Sequence, residues 1–234
     1  MLILGMDTST AQVAVAVGGE AGVLAEVRLT GGRRHAEQLA PAVEYVLREA
    51  GVDVRDVDAF ALGIGPGLFT GLRVGLTTAK VMAASLGRPV VPVSSLELVA
   101  LPVRHVTGVV VAVTDARRSE VYRAAYRAAG GRLEPLAAER VAPPDVVASE
   151  VEAWAGEGET VLLVGNGSRL LPESLLTRPG IPVAPSSFDH PSPRSLVEVA
   201  VERCADGQWV EPGAVEPLYL RKSDAEMQWS GSTS

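Results

Sequence analysis

Asp7-Thr8-Ser9-Thr10 ends one short apolar run, and Asp115-Ala116-Arg117-Arg118-Ser119 ends another. An aspartate at a strand end with hydroxyls behind it can order a metal-bound water against a phosphate. The backbone must then approach the phosphate oxygens, which a glycine in the turn normally permits. After Asp7 no glycine occurs until Gly18. The competing reading is a hairpin turn held by Asx and Ser/Thr hydrogen bonds, and it is preferred for Asp7 and Thr10. Beside Asp115, Arg117 and Arg118 could grip an anion, but paired arginines on a hairpin are more often solvated. Asp7, Thr10 and Asp115 therefore stand as candidate nucleotide contacts, with a structural role favoured for each.

A third stretch, GIGPGLFTGLRVG from Gly63 to Gly75, has the glycine density of a phosphate loop. It lacks the Lys-Ser/Thr that would complete one. Nor does it fit Gly-x-Gly-x-x-Gly: counted from Gly65 and Gly67, the third glycine falls due at Thr70 and arrives at Gly71. Metal chemistry has no better support. His35, His105 and His190 are isolated from one another and from cysteine or carboxylate at ligand spacing. His35 reads as a solvated or capping residue at a helix start. Cys204 is the single cysteine, so it forms no intrachain disulfide, and its apolar helical neighbours make it a packing residue. The expectation is a chain with no catalytic residue, no metal and no cofactor of its own.

The elements that must position these residues follow from periodicity. Leu2–Met6, Gln12–Val17 and Val23–Leu29 read as three strands joined by tight turns. Ala36–Ala50 reads as a helix stopped by Gly51, Asp58–Ile64 as a strand, Leu72–Leu86 as a helix stopped by Gly87, and Val90–Val93 as a strand. Ser94 or Ser95 can cap a short helix. The pattern then restarts: strands over Val109–Val113, Glu120–Ala128 and Arg132–Ala138, a helix near Val146–Trp154, and a strand at Thr160–Gly165. A Pro- and Ser-rich arm, Pro172–Pro193, leads to a last helix over Leu196–Cys204, started by Ser192 and Pro193. Asp7 and Asp115 occupy the same place in the two units. The reading is an α/β protein with a duplicated actin-like, sugar-kinase-like fold of two lobes with mixed sheets. The lobes are expected at 1–103 and 104–222, with a polar tail at 223–234. The 234 residues suffice for such a core, and a net charge of −7 argues against an autonomous nucleic-acid binder. The start lacks a basic n-region and a long apolar span, so a cytoplasmic protein without a membrane segment is expected.

The helix after the glycine-rich loop carries Gly71, Gly75, Ala79 and Ala83 four residues apart. Such a ridge invites close approach by another element. Its flanks are apolar, and its polar stripe, Arg73, Thr77 and Lys80, is narrower than a sheet-packed surface helix usually shows. A second helix of the chain or a partner protein could cover it. Gly71, Leu72, Gly75, Leu76, Ala79, Met82 and Ala83 are the candidate partner interface.

GPGLFTGLRVGLTTAK, with MDTST, RRHAEQLAP, DARRSEVY and the late PLYLR, resembles the bacterial TsaB (YeaZ) family of tRNA threonylcarbamoyladenosine biosynthesis proteins. Leu68 departs from the serine common there. The resemblance implies the two-lobed actin-like fold. It also implies a non-catalytic subunit that binds the paralogous enzyme TsaD and the ATPase TsaE, and meets tRNA only within that complex. TsaD adds threonylcarbamoyl to adenosine 37 of tRNAs reading codons that start with A. Its two metal-binding histidines would fall at Ser95 and Val99, and Val99 cannot bind a metal. A homodimer of the isolated chain stays open. The alternative function is an autonomous actin-like ATPase or a metallopeptidase-like enzyme.

Overall fold

The computed structural model describes residues 1–31, 34–156 and 158–221. The expected tail, and Arg33 of the RRHAEQLAP motif, lie outside them. The first lobe contains β1 (Leu2–Asp7), β2 (Gln12–Gly19), β3 (Gly22–Thr30), α1 (His35–Ala50), β4 (Ala59–Gly63), α2 (Phe69–Leu86) and β5 (Val90–Val93). Its sheet has the order β3-β2-β1-β4-β5. The meander β1–β2–β3 is antiparallel, and β1, β4 and β5 run parallel. After α3 (Ser95–Ala100) come β6 (Gly108–Arg117), β7 (Glu120–Ala129), β8 (Arg132–Ala142), α4 (Pro144–Gly156), β9 (Val161–Val164), α5 (Glu173–Leu176) and α6 (Pro193–Ala205). The second sheet has the order β8-β7-β6-β9, with β6 and β9 parallel. Strands β3-β2-β1-β4 and β8-β7-β6-β9 share order and direction. Two mixed sheets with flanking helices give the two-lobed, actin-like arrangement.

The central strands are apolar throughout because both of their faces are covered. Leu4, Met6, Val13 and Val15 face α1 and α2, while Ile3, Ala16, Ala59 and Ala61 face α6. In the second sheet Val109, Val111 and Val113 pack under α4 and α5, and Val110 and Ala112 under α3. Helix α3 lies between the sheets: Leu98 belongs to the first sheet's core, Leu96 and Val99 to the second's. Ser94 caps it by accepting from the amides of Leu96 and Glu97. Gly51 and Gly87 end α1 and α2 in the left-handed conformation, at φ 68° and 61°.

The lobe boundary needs correction. The sequence order put 104–222 in one lobe, yet Leu196, Val197 and Ala200 of α6 bury against the first sheet. The chain then stays there: Val210 pairs with Val90, and Lys80 donates to the carbonyls of Gly213 and Val215 at 3.2 and 3.0 Å. The Leu218 amide donates to the Ile64 carbonyl at 2.8 Å. The physical reason is coverage. Residues 1–103 give the second face of the first sheet little beyond Leu98, and an uncovered apolar face must find another element.

Candidate functional site: a sealed turn and the outer face of helix α2

The β1–β2 turn is built inward. Asp7, Thr8 and Ser9 are each 1% exposed. Asp7 Oδ1 accepts from the Ser9 amide at 2.9 Å and the Ser9 hydroxyl at 2.7 Å, the expected Asx geometry. Asp7 Oδ2 accepts from Ser95 Oγ at 2.7 Å, and Ser95 Oγ accepts from the Gly65 amide at 3.1 Å. Burial pushes the Asp7 carboxyl above the usual range, opposed by the hydrogen bonds from Ser95 and Ser9. One carboxylate thus ties together the turn, the glycine-rich loop and the start of α3.

The glycine-rich loop closes on this turn and does not cradle an external group. The Leu68 amide donates to the Ser9 carbonyl at 2.7 Å, and the Ile64 amide to the Val93 carbonyl at 2.9 Å. A Cβ on Gly67 would sit 2.7 Å from Ser9 Cβ, so only glycine fits there. His35 is buried, not solvated. Its Nε2 donates to the Thr10 carbonyl at 2.7 Å, locking the start of α1 to the turn. Sequence did give His35 as the helix start, but the acceptor that buries it lies 25 residues away.

The small-residue ridge also faces this turn. Thr8 Oγ1 donates to the Gly71 carbonyl at 2.7 Å, and Gly75 lies over Thr8 and Leu62. Ala79 and Ala83 are fully buried in the first sheet's core. Gly71, Leu72, Gly75, Ala79 and Ala83 are therefore surfaces for the chain itself, which corrects their reading as partner contacts. Leu76 and Met82 are half-buried and flank the core. The missing bulk lets α2 lie directly on a hairpin turn, where a side chain would collide with backbone. The periodicity was right about close approach and silent about direction.

The outward face of α2 consists of Phe69, Thr70, Arg73, Thr77, Val81, Ala84 and Ser85, with Val81 59% exposed. Phe69 stacks on Tyr219 at 5.3 Å, and the Arg73 guanidinium lies 3.9 Å over the Phe69 ring. An open groove of about 540 Å3 between α2 and the start of α1 is lined by Ala36, Phe69, Thr70, Arg73, Val74, Thr77 and Thr78. Sequence reasoning missed Phe69, Val81 and Tyr219. Tyr219 lies in the noticed PLYLR motif, but its ring partner is far away in the chain.

Thr10 and Asp115 line the cleft between the lobes with Ser9, Gly67, Thr114, Arg117 and Asn166, whereas Asp7 does not reach it. The cleft holds about 20 Å3, the scale of one water. Asp115 Oδ1 accepts from the Arg117 amide at 2.7 Å, and Oδ2 pairs with the Arg117 guanidinium at 3.0 Å. The Asp115 amide donates to Asn166 Oδ1 at 3.0 Å. Cys204 is partly buried, with its thiol pushed up by that burial. Among the described residues, no three His, Cys, Asp or Glu side chains gather where they could hold a metal ion. No helix among them is long and apolar enough to cross a membrane.

Residues 22–229 match the family "TsaD: tRNA N6-adenosine threonylcarbamoyltransferase". With the two-lobed fold, this defines the class: proteins built on the threonylcarbamoyltransferase architecture. Within it, "tRNA threonylcarbamoyladenosine biosynthesis protein TsaB" of Bacillus subtilis (strain 168) is 31% identical over 232 residues, 98% of each chain. The protein of the same description from Escherichia coli (strain K12) is 32% identical over 228 residues, 96% of each. The solved structure "YeaZ from Pseudomonas aeruginosa" superimposes with a TM-score of 0.80 at 32% identity, covering 94% of this chain and 99% of that one. The chain belongs to the TsaB/YeaZ family of tRNA-modification accessory proteins, as the sequence motifs implied.

Proposed function

We propose that the chain is a non-catalytic subunit required for threonylcarbamoylation of adenosine 37 in tRNAs reading codons that start with A. It acts in the cytoplasm by binding the paralogous enzyme TsaD and, with it, the ATPase TsaE, and contacts tRNA only within that complex. The observation that carries this reading is the state of α3. The resemblance puts the enzyme's metal-binding histidines at Ser95 and Val99. Here Ser95 Oγ is engaged by Asp7 and the Gly65 amide, and Val99 is fully buried in the second sheet's core. The first position ties the turn and the loop by hydrogen bonds, and the second serves packing.

The docking surface we infer is the outward face of α2 with Tyr219. It combines an apolar groove, a stacked aromatic pair and a guanidinium, a composition enriched at protein interfaces. Thr77→Arg and Val81→Arg are expected to keep the wild-type Tm, to lose TsaD in pull-downs, and to fail to restore threonylcarbamoyladenosine in cells lacking the native subunit. Sedimentation of the isolated chain tests whether a second copy uses the same face. Wild-type binding and modification in both variants would reject the surface. Transfer of threonylcarbamoyl to tRNA by the chain alone would reject the non-catalytic reading.

A further inference from the structure

A second cavity lies across the first sheet from α1 and α2, between the N-terminal end of α6, the turn after α3 and residues 187–190. It holds about 310 Å3 and is lined by Arg28, Arg104, His105, His190 and Arg194, with Phe188 and Pro102 as apolar walls. In a chain of net charge −7 this is a local concentration of cations. Two carboxylates answer its three guanidiniums. Arg28 and Arg194 share Glu26 at 3.3 and 3.2 Å, and Arg104 pairs with Glu198 at 3.2 Å. One positive charge remains before either imidazole is counted.

One further feature favours an anion. The 13-residue helix α6 begins at the cavity and brings the positive end of its dipole there, with Ser192 as its cap, accepting from the Ser195 amide at 3.2 Å. The volume exceeds the need of a lone phosphate and lies within the range of small-ligand sites. A flat ring between Phe188 and Pro102 would use the remainder.

We propose that this cavity binds a nucleotide, its phosphate held by Arg104 and Arg194 and its base against Phe188, either as a free nucleoside monophosphate or as one unit of an RNA strand. The site is independent of the docking surface on α2, so either proposal can fail alone. The test is calorimetric titration of the full chain with inorganic phosphate, with AMP and with a short single-stranded oligoadenylate. Wild type, Arg194→Gln, Arg104→Gln and the remote exposed control Arg55→Gln are compared, with Tm recorded for each. AMP or the oligonucleotide is expected to bind at one per chain. Arg194→Gln and Arg104→Gln should each weaken binding at least tenfold at unchanged Tm, and Arg55→Gln should not. Should Arg104→Gln lower the Tm, through loss of its bond to the Leu101 carbonyl, half-exposed Arg194 carries the test. Tighter binding of the oligonucleotide than of AMP assigns the site to an RNA strand; binding of AMP alone assigns it to a free nucleotide. Absence of binding by both overturns the proposal, as does equal loss in Arg55→Gln. Inorganic phosphate binding as tightly as AMP overturns the nucleotide assignment.

Discussion

Two hairpin turns with the same plan have opposite fates. The β1–β2 turn, Asp7 to Ala11, lies beneath α2, and its aspartate is sealed among Ser9, Ser95 and the glycine-rich loop. The β6–β7 turn, around Asp115, is open, and Arg117, Arg118 and Ser119 are exposed. All three adopt left-handed conformations, with φ of 62°, 55° and 59°. The difference lies in the element that succeeds the parallel strand of each lobe. After β4 the chain builds an 18-residue helix whose Gly71 and Gly75 let it rest on the turn. After β9 it builds only the short 3-10 turn Asn166–Leu170. Equivalent aspartates become a buried tie or a surface group according to the helix above them, so residue type at a matched position does not by itself assign a role.

Removing the clearance beneath α2 would break the contrast most severely. Gly75→Arg places an unpaired charge and its bulk against Thr8 and Leu62, and a loss of about 3–5 kcal/mol is expected in urea unfolding. The same substitution at outward-facing Thr77 should leave the midpoint nearly unchanged. Next come the aspartates. Asp7→Ala leaves the Ser9 amide and two hydroxyls without their acceptor, and about 2–4 kcal/mol should be lost. Asp115→Ala, whose partners reach water, should lose about 1 kcal/mol or less. Equal losses would erase the distinction between sealed and open turns.

A smaller effect separates the charge of Asp7 from its hydrogen bonds. Its carboxyl titrates higher when folded than when unfolded. Between those two pKa values the native state binds more protons, so this group's contribution is greatest below the unfolded value. It is lost as pH rises through the folded one. Asp7→Asn keeps the acceptor for Ser9 and removes that dependence. The variant's stability relative to wild type should therefore rise from acid to neutral pH in parallel urea titrations, and a flat difference would contradict the burial argument. The smallest effect is at the open turn. Ser119→Gly relieves one left-handed residue and should stabilise by about 0.5–1 kcal/mol. A loss would mean that the turn is held by contacts of the Ser119 side chain.

Local pattern made much of this molecule legible. The strands of both sheets, the Gly51 and Gly87 stops, the Ser94 cap and the Ser192-Pro193 start of α6 all arise from residues close in sequence. The preference for a structural Asp7 rested on the missing turn glycine. Quantities set by packing between distant segments were not legible. Gly71 and Gly75 announced a close approach, but the partner, Thr8, lies far upstream. His35 looked solvated because the carbonyl that buries it belongs to Thr10. Arg28, Arg104 and Arg194 come from a strand, a turn and a helix, and no window of sequence holds two of them.

The route of the chain beyond Ser192 bears on how the protein is made. Residues 193–218 close the second face of the first sheet, pair with β5 and lie along α2, and Arg221 then donates to the Ala116 carbonyl in the other lobe at 3.1 Å. Strands β1 and β4 therefore wait for residues made long after them. Until then the first sheet presents bare Ile3, Ala59 and Val91 to solvent, a surface that invites chaperone binding or aggregation. The two lobes are separate as architecture, but the first is completed only by residues that follow the second in the chain.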